Sequence, residues 1–246
     1  MALPKINSPI FDLTLPSSGK EVKYRPFLVK EQKLLLMALE SREQKEMLRA
    51  IKQIINNCSI DKINVEDLPM FDLEYFFIRL RAKSVGETIE LKLIHPNLKN
   101  SDDQPCEHQT TMMLNLLDVE VHKEDGHTNK ILLDEDTKIG ICLKYPTMAL
   151  ADKVQMGGEK SQIESILNLV ADSIDYIYDA ENVYPAKDST RKELLDFVND
   201  LSQEQFKKLT DFFNSMPKLK HTLKWRCSGC GYEEKAELEG MASFFG

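Results

Sequence analysis

The residues of this 246-residue sequence that are best suited to chemistry are cysteines and histidines with metal-ligand spacing. Cys227 and Cys230 belong to a Cys-Ser-Gly-Cys-Gly turn, whose glycines let the backbone aim both sulfurs at one ion. A structural zinc ion needs four ligands in a closed tetrahedron, so two cysteines are not enough. Cys106 and His108 complete the predicted Zn²⁺ site, and His95 is an alternative ligand.

The spacing of these two half-sites leaves two outcomes open. Between His108 and Cys227 lie 118 residues, far more than in a compact zinc ribbon. The site therefore either binds a structural zinc or is a vestigial site held by packing. A thiol redox role is disfavoured because predicted strands flank the turn, and catalytic zinc would need an open position and a general base. Cys58 and Cys142 have no neighbouring partner and are predicted to be ordinary buried cysteines.

Motifs of known enzymes are missing from the sequence, which contains no P-loop, no His-Glu-x-x-His and no Gly-x-Ser-x-Gly. Two acidic clusters, Asp102-Asp103 and Asp134–Asp136, fall in predicted turns, where solvation is a better explanation than a hydrolase pair. We therefore expect a protein that is not an enzyme.

Composition excludes several other classes. A net charge of -8 argues against bulk attraction to nucleic acid or to anionic membranes. No run of about 18 apolar residues is present, so no membrane span is predicted. The first residues lack the apolar core of a signal peptide, which predicts reduced cysteines in a cytoplasm.

Hydrophobic periodicity predicts an α+β fold, with helical halves around an inserted antiparallel β module. The predicted segments are a β-hairpin and helices in 1–83, a β-rich insertion with the first metal half-site in 84–145, a helical region in 146–220, and a Cys-x-x-Cys hairpin in 221–246 that packs on the insertion. The insertion and the last segment would form a zinc-ribbon-like pair of hairpins.

Single elements follow from the same patterns. The predicted elements are a hairpin over 9–27, helices over 30–56, 64–82 and 163–177, strands over 88–94, 110–121, 131–133 and 139–143, and a loop over 179–187. Two further helices have capping boxes, which pair Thr190 with Glu193 and Ser202 with Gln205.

Several segments together resemble the baseplate hub assembly protein family of T-even-type contractile-tailed phages. They are Tyr24–Phe27, Glu31–Leu36, Asp67–Glu87, Ile139–Pro146, the Cys227–Gly231 turn and the closing Gly240–Phe245. The resemblance spans nearly the whole chain. Members of that family carry Cys-x-x-Cys-type turns in the middle insertion, where this sequence has His95, Cys106 and His108 instead.

The resemblance implies a non-enzymatic baseplate hub component or assembly chaperone, acting with hub and tape-measure proteins. It places the protein in the host cytoplasm during tail assembly, with the virion tail baseplate as a second location. Phe244 and Phe245 are a candidate docking plug for a partner, and the alternative is a tail folded onto its own core. A different function, a zinc-ribbon nucleic-acid-binding regulator, would use a basic patch of Lys207, Lys208, Lys218, Lys220, Trp225 and Arg226.

Overall fold

A computed structural model describes residues 7–41, 43–94, 106, 108–147, 149–150 and 162–244. Helices and small antiparallel sheets mix along the chain, which confirms the predicted α+β class. The α-helices whose bounds lie within these described residues are α1 (Val29–Ser41), α2 (Gln44–Cys58), α3 (Met70–Ser84), α4 (Gln162–Ser173), α5 (Arg191–Asn199) and α6 (Gln203–Ser215). The strands are β1 (Phe11–Thr14), β2 (Glu21–Tyr24), β3 (Thr88–Leu93), β4 (Thr110–Asn115), β5 (Glu120–His122), β6 (Lys130–Leu132), β7 (Gly140–Leu143), β8 (Ile174–Tyr178), β9 (Val183–Pro185), β10 (Lys218–Arg226) and β11 (Glu233–Glu239). Among these described helices, none has the length and apolar character needed to cross a bilayer.

The chain divides into two compact units. Unit 1 comprises residues 1–65, 71–122 and 218–246, and unit 2 comprises residues 66–70 and 123–217. The predicted insertion 84–145 contributes to both units, because β3–β5 lie in unit 1 while β6 and β7 lie in unit 2.

The N-terminal hairpin of unit 1 is confirmed. Strands β1 and β2 pair in antiparallel register, and the Leu15 N–H closes the turn on the Lys20 carbonyl. The buried carboxylate of Asp72 on α3 accepts hydrogen bonds from the backbone N–H and the hydroxyl of Ser17 in this turn. The hairpin is therefore anchored to α3 by a polar contact as well as by packing.

The single long helix predicted over 30–56 is wrong, because α1 and α2 are separate helices. Glu43 has an extended backbone (φ −95°, ψ 122°), and its N–H donates to the Ser41 hydroxyl. The stretch from Glu40 to Glu46 has no apolar side chain that could hold a continuous helix against a core. The next helix also begins later than predicted: α3 starts at Met70, and Pro69 forms a β-bridge with Thr147.

Unit 1 has two further sheets on one apolar core. Strands β3 and β4 form a two-stranded sheet, and β10 lies between β11 and β5 in a three-stranded antiparallel sheet. The core between them consists of buried side chains from α3, both sheets, the segment between β4 and β5, and the C-terminal turn: Ile78, Ala82, Ile89, Leu91, Leu114, Leu116, Val119, Leu219, Leu223 and Phe244. This core fixes the two hairpins whose ends carry the cysteines.

Unit 2 packs α4, α5 and α6 on a four-stranded antiparallel sheet of order β6-β7-β8-β9. The helix predicted over 163–177 is wrong in its last turn, because Ile174–Tyr178 is strand β8. This segment contains β-branched and aromatic residues, which favour strands, together with one aspartate. Pairing with β7 satisfies its backbone groups. The loop predicted over 179–187 also contains a short strand, β9. Both predicted capping boxes, at Thr190 and Ser202, are present.

Candidate functional site

The ends of two hairpins in unit 1 bring three of the predicted metal ligands together. Cys106 precedes β4, Cys227 follows the last residue of β10, and Cys230 lies in the turn that leads to β11. Strands β4 and β10 are held by long antiparallel ladders with β3 and β11, so the sheets set the positions of these cysteines. Although Cys106 and Cys227 are 121 residues apart in sequence, their side chains meet in the fold.

The three sulfurs have a spacing that suits one metal ion. All three Sγ atoms lie within 4.8 Å of one another, and those of Cys106 and Cys227 are 3.8 Å apart. In a tetrahedral site with metal–sulfur bonds of about 2.3 Å, neighbouring sulfurs lie about 3.8 Å apart. None of the five cysteines, all of which are described, forms a disulfide. The cluster can therefore supply three thiolate ligands.

Glycines shape the turn that carries two of these sulfurs. Gly231 has a φ of +78°, a conformation that residues with a Cβ rarely adopt. Gly229 lies so close to His108 that an added Cβ would stand 2.7 Å from the Cβ and Cγ of that histidine. The Gly231 N–H donates to the Cys227 carbonyl and closes the turn.

Polar contacts join the Cys227–Cys230 turn to the segment before β4. The Ser228 N–H donates to Thr110 Oγ1 at 3.1 Å, and the Ser228 hydroxyl lies 2.8 Å from His108 Nε2. Behind the sulfurs, Cys106 and Cys227 pack with buried Trp225 in a small apolar cluster. Sequence reasoning missed Thr110 and Ser228, although hydroxyl residues next to predicted ligands are a usable signal for supporting hydrogen bonds.

His108, the fourth predicted ligand, lies beside the Cys227–Cys230 turn but outside the sulfur cluster. The cluster of possible metal ligands among the described residues contains the three cysteines without His108, whose imidazole lies against Ser228. The alternative ligand, His95, lies outside the described residues. The structure thus brings Cys106, Cys227 and Cys230 together and leaves the fourth ligand to be assigned.

The electrostatics around the sulfurs follow from backbone groups and burial. The His108 backbone N–H lowers the pKa of Cys106, but burial and the nearby sulfurs of Cys230 and Cys227 outweigh it and raise that pKa. The Arg226 guanidinium donates to the Gly231 carbonyl and lies 3.9 Å from a Glu233 carboxylate oxygen. A bound cation would reverse the local preference by stabilising the thiolates.

The other described residues considered for chemistry are buried or close a turn. Cys58 and Cys142 are buried, as predicted. Asp134 closes its own turn, because its carboxylate accepts from the Asp136 and Thr137 backbone and from the Thr137 hydroxyl, and the last of these lowers its pKa most. Asp102 and Asp103 lie outside the described residues.

The basic patch predicted for nucleic-acid binding is largely neutralised on β10. Lys218 pairs with Glu239 at 3.0 Å, and Lys220 pairs with Glu237 at 2.8 Å. Trp225, the aromatic residue of the patch, is only 5% exposed and so cannot stack on a base. These contacts argue against that alternative on this strand.

Comparison with protein-family models decides the class. The model described as T4 bacteriophage base plate protein matches residues 8–246. The chain belongs to this family. The resemblance on which the sequence prediction rested is thereby confirmed, and the role of the protein is structural or in assembly at the base plate of a phage tail. No curated protein and no solved structure matches the chain.

Phe244, one of the two residues predicted to form a docking plug at the C-terminus of this base plate protein, is not exposed. That ring is 0% exposed and belongs to the core of unit 1, so the folded-tail alternative holds for it. Gly240 has a φ of +70° and the Met241 N–H donates to Glu74 Oε1 on α3, which turns the chain inward. Phe245 lies outside the described residues.

The base plate protein instead exposes apolar side chains on α1. On the side of α1 opposite its buried residues lie Val29 (81% exposed), Leu36 (52%) and Met37 (57%), with Leu39 at its margin and Leu28 just before the helix. We call these five side chains the α1 face. An exposed group of large apolar residues on one helix is typical of a surface that binds another protein. The signal was present in the sequence as the unbroken apolar run 34–39, since six consecutive residues cannot share one buried side of a helix.

Proposed function

We propose that this base plate protein is a non-enzymatic hub component or assembly chaperone that acts through contacts with hub and tape-measure proteins. Its site of action would be the host cytoplasm during tail assembly. Family membership supports the base plate, and the observation that carries the binding role is the α1 face.

The α1 face fits a helical partner. Val29 and Leu36 are seven residues apart, so they lie along one line of the helix about two turns long. The apolar stripe of an amphipathic partner helix would cover this line and bury both surfaces. A long helical segment, such as a tape-measure protein offers, has the required shape.

Co-expression with the hub and tape-measure proteins of the same phage tests the proposal. We expect the tagged chain to capture at least one of them, and the double substitution Leu36→Ser and Met37→Ser to reduce that capture at least about tenfold. Met113→Ser is the matched control, because Met113 is 62% exposed but lies on β4. Equal capture by all three proteins would exclude the α1 face, and no capture by the unmodified chain would refute the function.

The proposal includes a structural zinc ion bound by Cys106, Cys227 and Cys230, with His108 as fourth ligand. Three thiolates and an imidazole are a common zinc ligand set. The 3.8 Å separation of two sulfurs supports the cysteine ligands. His108 lies beside the same turn, with its Nε2 2.8 Å from the Ser228 hydroxyl, and its ring would have to turn toward the sulfurs to complete the site. The ion would hold the two hairpin ends together and complete a zinc-ribbon-like pair.

Elemental analysis of the purified chain tests the metal. We expect about one zinc per chain, retained in Cys142→Ala, which changes a buried cysteine outside the cluster, and lost in Cys230→Ser. A chelator should lower the melting temperature of the unmodified chain. Zinc-free protein with unchanged melting after chelation would show that packing alone holds this site.

A further inference from the structure

Two side chains of opposite charge, Lys33 and Glu40, lie on the same exposed side of α1 as the α1 face. Lys33 and Glu40 are both exposed and, like Val29 and Leu36, lie seven residues apart. At 3.6 residues per turn, a separation of seven places both charges along one line of the helix, on the Met37 side of Leu36. Within the described residues, neither Lys33 nor Glu40 forms an ion pair.

These charges make the face complementary to itself. A two-fold axis that passes between Leu36 and Met37 and runs perpendicular to both helices produces an antiparallel pair. In that pair residue 33 of one copy stands opposite residue 40 of the other. The same symmetry keeps the Met37 side of the first helix beside the Met37 side of the second. Lys33 of each copy therefore lies opposite Glu40 of the other copy. These two contacts flank an apolar centre formed by Leu36 and Met37.

We propose that the α1 face binds the α1 face of a second copy of this chain as an antiparallel helix pair. The apolar side chains supply the attraction, and the two Lys33–Glu40 contacts select the direction and the register. In a parallel pair the charged line would face the opposite side of the second helix, where Leu39 lies, so the charges would gain no partners. A 13-residue helix is about 20 Å long, so the interface is small and its association is reversible.

Charge exchange on purified protein tests this pairing. The readout is sedimentation velocity between about 1 and about 100 μM, where the unmodified chain should change from monomer to dimer. Lys33→Glu sets two carboxylates opposite each other across the axis, and Glu40→Lys sets two ammonium groups there, so each variant alone should dimerise at least about tenfold more weakly. An equimolar mixture of the two variants should recover dimers, because every contact across the axis is then between opposite charges. Both positions are exposed, and Trp225 fluorescence should verify that each variant is folded.

Two results would overturn the proposal: an unmodified chain that stays monomeric at the highest concentration, or charge variants that associate as strongly as the unmodified chain. A mixture that fails to recover dimers would exclude the antiparallel register. The inference concerns the same face as the proposed function, so a second copy and a helical partner would compete for it, and the two proposals fail separately. Self-association is measured on the purified chain alone, whereas the proposed function depends on capture of hub or tape-measure proteins.

Discussion

Glu31→Ala is expected to destabilise unit 1 by about 3–5 kcal/mol, because it removes one partner of a buried ion pair. The Glu31 side chain is fully buried near the start of α1. Its Oε1 accepts from Arg25 Nη2 at 3.1 Å, and its Oε2 accepts from the Leu28 backbone N–H at 2.8 Å. Arg25 also donates to the carbonyls of Pro26 and Asn57, so this pair joins the end of the hairpin to α1 and α2.

The magnitude follows from what the substitution leaves behind. Without the carboxylate, an Arg25 guanidinium that is only one-fifth exposed loses its buried counter-charge, and the Leu28 N–H loses its acceptor. Lys30 also lies 3.5 Å from Glu31, but it is mostly exposed and adds little. Glu31→Gln keeps the shape and an acceptor and loses only the charge, so its cost should be about half as large.

The same pair predicts a pH dependence. Burial raises the pKa of Glu31, but the hydrogen bonds from Arg25 and Leu28 and the charge of Arg25 outweigh it, so the pKa is below its ordinary value of 4.5. The unfolded chain then binds more protons than the folded chain in this range. The stability that Glu31 provides is therefore present above about pH 4.5 and lost as the pH falls through the lowered pKa.

Urea unfolding followed by tryptophan fluorescence measures the effect, because Trp225 is the only tryptophan and lies in unit 1. Glu46→Ala is the control, since Glu46 pairs with Arg49 on the exposed side of α2 and its loss should cost no more than about 0.5 kcal/mol. A Glu31→Ala cost below about 1 kcal/mol at pH 7 would refute the reasoning. So would a difference from the unmodified chain that does not shrink on acidification.

Three further predictions concern other positions. Phe244→Ala should cost about 3–5 kcal/mol in the same fluorescence assay, because the ring is buried in the core of unit 1, and a near-zero cost would show that the C-terminal turn is detached. Gly229→Ala should cost about 1–3 kcal/mol in that assay, because the new methyl group would collide with His108, and an unchanged midpoint would mean that the histidine is not held there. Burial lowers the pKa of His127 in unit 2, so stability should fall as the pH drops below about 6.5. Circular-dichroism melting should show this loss in the unmodified chain and not in His127→Gln.

Local chemistry made part of this structure predictable. The capping box at Thr190 depends on side chains three residues apart, and both of its hydrogen bonds are present. The Cys227–Cys230 turn was recognisable for the same reason, because its glycines and cysteines are neighbours in sequence. Its association with Cys106 could be proposed from ligand chemistry, since a pair of cysteines needs further ligands.

Features that depend on distant contacts were not predictable in the same way. The apolar period of α4 continues into Ile174–Tyr178, and only the presence of β7 as a partner decides that this segment is a strand. A period of apolar residues also does not reveal that the chain stops being helical at Glu43. In the sequence Phe244 resembles an exposed plug, and only its packing with side chains of α3 and β10, distant in sequence, shows that the ring is buried.

The long interval between the two halves of the cysteine cluster has a structural explanation. Of the 118 residues between His108 and Cys227, the 95 residues from 123 to 217 belong to unit 2, which leaves 23 within unit 1. The chain leaves unit 1 after His122 and returns at Lys218, and these two residues are paired directly on β5 and β10. Without unit 2 the cysteines would have a spacing close to that of compact zinc ribbons. The spacing that weakened the zinc prediction is therefore a consequence of an inserted unit, and the cysteine cluster keeps the local geometry of two adjacent hairpins.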